Sequence, residues 1–166
     1  MSIADGRYSI PLNLASSTVL ITGGSSGIGY TFAEQFVKAG SVVIITGRRE
    51  DQLKEAIKKL NNSKGGSNKI LYYRGDVGST KERQDLFDWT IKNHPQINIL
   101  FNNAGIMRQI PIDAVNSSWS DMEQEIQINL SAPIHLCKLF LPYFKKQQET
   151  SAIINVSSGL AFIPPS

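Results

Sequence analysis

A glycine-rich stretch, TGGSSGIG at residues 22–29, has the residue types of a phosphate-binding turn. It follows the β-branched run STVLIT and precedes a segment with apolar residues at helical spacing. Glycines let the backbone turn sharply and come close to a pyrophosphate, and the N–H groups and dipole at a helix N-terminus favour an anion. An ordinary strand-to-helix turn needs only one or two glycines. Several glycines with interleaved serines therefore predict a turn that binds a dinucleotide.

Two arginines, Arg48 and Arg49, follow the next apolar run, SVVIIT. In dinucleotide-binding sheets an acidic residue at this place binds the ribose 2′-hydroxyl of NAD. A guanidinium instead attracts a 2′-phosphate and can bond to it in a bidentate manner. Arginines at a helix start are often plain surface residues, but there they oppose the helix dipole, so a bound anion explains them better. We therefore predict NADP as the cofactor in preference to NAD.

Polar residues also follow the remaining apolar runs. Asp76, in RGDV, could accept a hydrogen bond from an adenine amino group or cap a turn, and its spacing does not distinguish the two. NNAG at residues 102–105 combines small residues, which let a sugar approach, with asparagines that tie loops together. Ser157 and Ser158 follow the last run, SAIINV, at the place where chemistry is expected.

The elements that position these residues alternate strictly between strand and helix. The strand-like runs are STVLIT, SVVIIT, KILYYRGD, INILFNNAG and SAIINVSS, and residues 118–147 read as one long helix. Strands that are apolar on both faces and alternate with helices predict an α/β fold with a parallel sheet covered on both sides. We expect a Rossmann-like, doubly wound strand order of 3-2-1-4-5. Ligands then bind beyond the carboxyl ends of strands 1 and 4.

Composition excludes several other classes of protein. The chain has 166 residues, with 17 Lys and Arg against 14 Asp and Glu, so a net charge of +3 does not indicate nucleic-acid binding. Cys137 is the only cysteine, which excludes an internal disulfide and is typical of a buried, inert thiol. No apolar stretch approaches the roughly 20 residues of a membrane helix. We expect a cytoplasmic protein without a metal site, with an irregular leader over residues 1–16 and one domain over residues 17–166.

These motifs in this order resemble the short-chain dehydrogenase/reductase family, from about Thr18 to Ser158. NAGIMR and GLAFIP further resemble the bacterial and fungal branch related to the DltE type. The resemblance implies that Arg48 faces the 2′-phosphate, that Asn129 supports a proton-relay water, and that Ser158 bonds to the substrate oxygen, with Ser157 ranked second. The residues that it implies for the cofactor are Gly23, Ser25, Ser26, Gly27, Ile28, Gly29, Arg48, Asp76, Val77, Asn103, Ala104 and Gly105.

In this family a tyrosine supplies the proton partner of the substrate oxygen, and a lysine four residues later lowers its pKa. None of the five tyrosines here has a lysine four positions on. The resemblance therefore implies a chain truncated before the Tyr-x-x-x-Lys pair, with its fifth strand left at an exposed edge of the sheet.

Two functions follow as expectations. The first is an NADP-dependent oxidoreductase acting on an alcohol or carbonyl, of which this chain is the cofactor-binding half. The long helix is the expected contact between identical subunits in a homo-oligomer. The alternative is a non-catalytic module that binds a nucleotide or a partner protein.

Overall fold

A computed structural model describes residues 12–62, 70–108 and 118–158. Its five strands form one parallel sheet in the order β3-β2-β1-β4-β5, which confirms the predicted fold class. The strands are β1 Thr18–Thr22, β2 Val42–Gly47, β3 Ile70–Arg74, β4 Ile99–Asn102 and β5 Ala152–Asn155. The chain order reverses between β1 and β4, so a crevice forms between the turns that follow these two strands.

Helices cover both faces of this sheet. They are α1 Gly27–Lys38, α2 Glu50–Asn62, α3 Thr80–Asn93, α4 Trp119–Ile126 and α5 Ala132–Phe144. A π-helical turn, Gln127–Ser131, joins α4 to α5, so the predicted long helix is one helical run with a local widening. Ser79 caps α3 by accepting a hydrogen bond from the Glu82 N–H, because that amide has no partner inside the helix.

The core consists of two layers, one on each face of the sheet. Alternate residues of a strand point to opposite faces. Ile21 and Ile45 therefore pack in the layer under α1 and α2, and their neighbours Leu20 and Ile44 in the layer under α3 and α5. All four are fully buried. Burial on both faces explains why these strands read as continuous apolar runs.

The stretch before β1 is attached to the sheet. Leu14–Ser16 forms a 3₁₀ turn whose Leu14 carbonyl accepts a hydrogen bond of 2.6 Å from Ser41 Oγ. Gly40 ends α1 with φ of +98°, a left-handed conformation that glycine adopts without strain. At the other end of the sheet, β5 pairs with β4 and with no other strand in the described part of the chain. Within the same ranges, no helix has the length and apolar character needed to span a membrane.

Candidate nucleotide-binding site

The turn after β1 is attached to β2 through the backbone. The N–H groups of Gly23 and Gly24 both donate to the Thr46 carbonyl, at 2.9 and 3.3 Å. Ser26 precedes α1 in an extended conformation, and its side chain makes no capping bond. Because no side chain occupies them, the first N–H groups of α1 remain able to bind an anion.

Two glycines of this turn have different structural roles. Gly27 has φ of +55°, in the left-handed region that other residues rarely adopt. Gly29 lies inside α1, where a Cβ would collide with the Gly23 carbonyl and would come within 2.5 Å of Asn103 Nδ2. The first glycine therefore shapes the turn, and the second lets α1 pack against the turns after β1 and β4.

The turn after β4 is joined to β1 by a set of hydrogen bonds. Asn103 Nδ2 donates to the carbonyls of Thr22 and Gly23, at 2.9 and 3.3 Å. Thr22 Oγ1 accepts the N–H groups of Asn103 and Ala104, both at 3.0 Å. Thr22 was not among the predicted site residues, although it is the first residue of the TGGSSGIG stretch. The two turns that border the crevice are thus held as one unit.

The turns after β1 and β4 form the first wall of the crevice. The end of β2 forms the second wall, which carries positive charge. Arg48 and Arg49 are exposed, and neither side chain has a hydrogen bond or ion pair with any residue in the described ranges. The first acidic residue after β2 is Glu50, which bonds to Lys54 Nζ at 2.9 Å and to the Tyr72 hydroxyl at 3.0 Å. The hydrogen bond from Lys54 is the largest cause that lowers the pKa of this carboxyl, and the hydrogen bond from Tyr72 acts in the same direction. Glu50 is therefore held by other partners, and the arginines are left to meet an anion.

Thr46 adds a buried polar atom to the same wall. Its residue is fully buried, and Thr46 Oγ1 has no hydrogen-bond partner among the described residues. A buried hydroxyl without a partner costs free energy, which a ligand or a water can offset.

The turn after β3 supplies the third wall. Asp76 Oδ1 accepts the Gly78 N–H at 2.8 Å, so this aspartate caps a turn, which was one of its two predicted roles. Glu82 reaches back from α3 to accept the Asp76 N–H at 2.9 Å. The side chain of Asp76 still lines the crevice, so its second predicted role, a bond to adenine, stays a prediction.

The three walls enclose a cleft of about 340 Å³, which we call the nucleotide cleft. Ten of the twelve residues predicted for the cofactor line it: Gly23, Ser25, Ser26, Ile28, Arg48, Asp76, Val77, Asn103, Ala104 and Gly105. Gly27 and Gly29 do not line it. Lining residues that the sequence reasoning did not select are Thr46, Gly47, Arg49, Gly75, Ile106 and Ile128.

A wider cleft of about 1030 Å³ adjoins the first and contains the residues with predicted catalytic roles. Asn129, Ser157 and Ser158 all line it, together with Ala104 and Gly105, which the two clefts share. The structure therefore brings Ser158 and Asn129 to one cavity from positions 29 residues apart. We call this cavity the substrate cleft.

Asn129 is held by a reciprocal pair of hydrogen bonds. Its Nδ2 donates to the Ile106 carbonyl at 2.6 Å, and its Oδ1 accepts the Ile106 N–H at 2.9 Å. Asn129 lies in the π-helical turn, and such turns are frequent at functional sites because they redirect a side chain. The widening lets the helix fasten the chain that follows NNAG.

The chain after NNAG is also attached at Arg108, two residues after Ile106. Arg108 Nη1 lies 2.7 Å from Asp121 Oδ1 and also donates to the Asp121 carbonyl at 2.9 Å. Its Nη2 bonds to Gln124, and its backbone N–H bonds to Glu125. Both sets of hydrogen bonds connect the turn after β4 to the α4–α5 run. They hold this border of the substrate cleft in place.

Cys137 lines the substrate cleft but is not prepared for nucleophilic chemistry. It is half-buried, and burial raises the pKa of its thiol, although hydrogen bonds with Asn102 and Asn155 act in the opposite direction. A thiol with a raised pKa is a poor source of thiolate. This agrees with an inert side chain, as its apolar helical setting predicted. No cluster of three or more potential metal ligands occurs within the described ranges.

A parallel sheet with a glycine turn after β1 and a cleft beyond its strand ends defines a dinucleotide-binding α/β domain. The sequence model of the short chain dehydrogenase family matches residues 17–166. The chain belongs to this family, which confirms the resemblance seen in its motifs.

Among curated proteins, the chain is similar to "Uncharacterized oxidoreductase DltE" of Bacillus subtilis, with 40% identity over 153 residues, or 92% of this chain. It is also 35% identical to "Short chain dehydrogenase/reductase dpmpG" of Macrophomina phaseolina, over 90% of this chain and 84% of that protein. The similarity to DltE agrees with the narrower resemblance. The chain spans 58% of the length of DltE.

Solved structures of the family are similar in fold. A short-chain dehydrogenase from Sphingobium yanoikuyae, in complex with NADPH, has a TM-score of 0.78 and 29% identity, over 90% of this chain and 56% of that one. L-sorbose reductase from Gluconobacter frateurii, complexed with NADPH and L-sorbose, has a TM-score of 0.81 and 26% identity, over 93% and 57% of the two chains.

Proposed function

We propose that this chain binds NADP(H) and forms the cofactor-binding part of an oxidoreductase that acts on an alcohol or carbonyl group. The observation that carries the proposal is the pair of exposed arginines, Arg48 and Arg49, on a cleft bordered by a glycine turn. Neither arginine side chain has a hydrogen bond or ion pair with a described residue, and no carboxylate of β2 competes for the site. The two relatives solved with NADPH support the same cofactor.

The residues present fit this cofactor. The glycine turn and the N-terminus of α1 would hold the pyrophosphate, because the first N–H groups of α1 lack side-chain caps. Arg48 would bond to the 2′-phosphate, with Asp76 and Val77 beside the adenine. Asn103, Ala104 and Gly105 would line the middle of the cofactor. Bound NADP(H) would supply or accept a hydride at the substrate carbon.

The substrate cleft carries the second half of the proposal. Ser158 would donate a hydrogen bond to the substrate oxygen, and Asn129, which also lines this cleft, would support the water that relays a proton. Both assignments rest on the family resemblance together with the shared cleft.

Thermal unfolding with and without cofactor tests the proposal first. We expect one cooperative transition, raised by NADPH more than by NADH at equal concentration. A ligand at one hundred times its Kd stabilises the folded state by about 2.7 kcal/mol, which is readily measured. A transition that neither cofactor moves would refute nucleotide binding. Binding by NADPH without turnover of ketones or alcohols would instead favour a non-catalytic nucleotide-binding module.

The α4–α5 run presents an apolar face that would join two copies of the chain. Trp119, Ile126, Leu130, Ile134 and Leu141 are large and exposed, and they recur every four or seven residues along this run. We expect sedimentation velocity to show a dimer, and Ile126→Lys to shift it toward monomer. Gln35→Lys on the exposed side of α1 is the control, and an unchanged sedimentation coefficient for Ile126→Lys would exclude this interface.

The single thiol, Cys137, fits a reducing compartment, and the cytoplasm is the location that we propose.

A further inference from the structure

Arg83 is a buried cation that the nucleotide site does not itself explain. It lies on α3 with only 3% of its surface exposed. Its guanidinium donates in three directions: to the Val77 carbonyl from Nη1, to Thr80 Oγ1 from Nη2 at 2.8 Å, and to His135 Nδ1 from Nε at 3.1 Å. The partners come from the turn after β3, from α3 and from α5.

The neutral character of these acceptors makes the arrangement costly. No carboxylate forms an ion pair with Arg83 among the described residues, and burial lowers the pKa of its guanidinium, an effect that the charge of Asp76 opposes. A buried charge is a poor source of stability, since its desolvation offsets much of what its hydrogen bonds contribute. A role in holding a particular geometry explains such a residue better than stability does.

What Arg83 holds is the wall of the nucleotide cleft. Val77, whose carbonyl it binds, lines both the nucleotide cleft and the substrate cleft. His135 lies on α5, six residues after Asn129, which fastens the opposite border through Ile106. A single side chain thus connects the turn after β3 to the helical run that carries Asn129.

We propose that Arg83 is a positioning residue: it fixes the Val77 turn against α5, with His135 Nδ1 as its acceptor, and so sets the adenine side of the nucleotide cleft. The geometric part of this proposal concerns the chain alone, and the effect on affinity rests on the proposed binding of NADP(H).

His135 is suited to the acceptor role only in its neutral form. Arg83 faces it from α3, and Lys138 lies near it on α5, so the described charged groups around the imidazole are both positive. A neutral imidazole whose Nδ1 carries no proton can accept a hydrogen bond from Arg83 Nε. An imidazolium donates from both of its nitrogens and would repel the guanidinium.

The test compares Arg83→Met with Lys92→Met, which removes a positive charge from an exposed site on the same helix. Two amides report the turn in the unliganded chain, because Gly78 N–H donates to Asp76 Oδ1 at 2.8 Å and Ser79 N–H to the Asp76 carbonyl at 3.0 Å. We expect hydrogen exchange at these amides to rise about tenfold in Arg83→Met, with exchange in β1 and α1 unchanged.

Affinity gives the second measurement. The Kd for NADPH, taken by titration well below the unfolding temperature, should rise about tenfold in Arg83→Met and stay at the parent value in Lys92→Met. His135→Asn, whose Oδ1 replaces Nδ1 as acceptor, should bind within twofold of the parent. His135→Leu, which has no acceptor, should resemble Arg83→Met.

The outcomes separate the two proposals. Unchanged exchange at Gly78 and Ser79 in Arg83→Met would overturn the positioning role, whatever the cofactor result. Faster exchange at these amides with an unchanged Kd would overturn the link between the turn and the cleft. A parent chain that does not bind NADPH would instead refute the proposed function, while the exchange measurement would still decide the role of Arg83.

Discussion

At the scale of single residues, charge at the end of β2 is expected to select the cofactor. Arg48→Asp places a carboxylate where the parent has a guanidinium on the nucleotide cleft. A carboxylate repels a 2′-phosphate and accepts from a 2′-hydroxyl, so preference should move from NADPH toward NADH, by about tenfold or more in the ratio of the two Kd values. Parallel fluorescence titrations with both cofactors measure this ratio.

Lys92→Asp makes the same change of charge on an exposed part of α3 and serves as the control. If Arg48→Asp and Lys92→Asp alter the ratio equally, general electrostatic attraction accounts for the preference and the assignment of Arg48 is wrong.

Also at this scale, the absence of a side chain at residue 29 is expected to be essential. Gly29→Ala would force a Cβ against the Gly23 carbonyl and Asn103 Nδ2. Backbone atoms cannot move aside cheaply, so we expect a loss of about 1–3 kcal/mol in the free energy of unfolding, measured in urea. Gly27→Asn is the comparison variant, because a Cβ there meets nothing within 4 Å, and asparagine is one of the residues that adopt the left-handed conformation at a small cost, so we expect a smaller loss than in Gly29→Ala. Equal losses in the two variants would contradict the packing argument.

At the scale of elements, the π-helical turn is expected to act through Asn129. Asn129→Ala removes both hydrogen bonds to Ile106. A hydrogen bond contributes a net of about 0.5–1.5 kcal/mol, and bonds near solvent lie at the lower end of this range. We expect a decrease of about 1 kcal/mol in the free energy of unfolding and faster hydrogen exchange at the Ile106 amide. Leu130→Ala, at an exposed neighbouring position, should leave that amide unchanged. Protection of Ile106 that survives in Asn129→Ala would show that other contacts hold the loop.

The π-helical turn also changes the directions in which its side chains point. A regular α-helix through residues 127–131 would present its side chains in a different rotational order, since each turn of a π-helix contains more residues. The widening coincides with Asn129, which bonds to Ile106 in the chain after NNAG. The β1 and β4 turns are likewise joined by Thr22 and Asn103, so the site is built from elements that fasten one another.

At the scale of the whole molecule, His135 is expected to make stability depend on pH. Burial first, and then Arg83 and Lys138, lower the pKa of His135 in the folded chain below its ordinary value near 6.5. The unfolded chain therefore binds the proton more readily. The contribution of neutral His135 to the free energy of unfolding is present above about pH 6.5 and is lost as the pH falls through the folded-state pKa.

We expect the parent to lose more unfolding free energy than His135→Asn between pH 7.5 and pH 5.5, as measured in urea at each pH. The comparison cancels the other histidine, His94, and the carboxyl groups, which both proteins share. Identical pH profiles would mean that His135 titrates alike in the folded and unfolded chains.

The order of the elements, the strand order and the edge of the sheet at which the cleft forms follow from the sequence by itself. Apolar runs that alternate with helical periodicity specify a parallel sheet, and right-handed crossovers leave few strand orders. Because the carboxyl ends of parallel strands meet at one edge, residues directly after strands must gather there. That rule found Gly23, Arg48, Asp76 and Asn103 from their positions in the chain.

Only the tertiary structure decided which side chains fasten the site. Thr22 bonds to amides 81 and 82 residues away, and Arg83 bonds to His135 at a distance of 52 residues. Such contacts depend on how helices pack across a sheet, which no local pattern records. The spacing of Asp76 left its two predicted roles open, and the structure showed the turn-capping bond to Gly78. The π-helical setting of Asn129 was not predicted from the sequence either. Periodicity specifies which face of an element is buried, whereas the hydrogen bonds between elements depend on distances that exist only once the chain is packed.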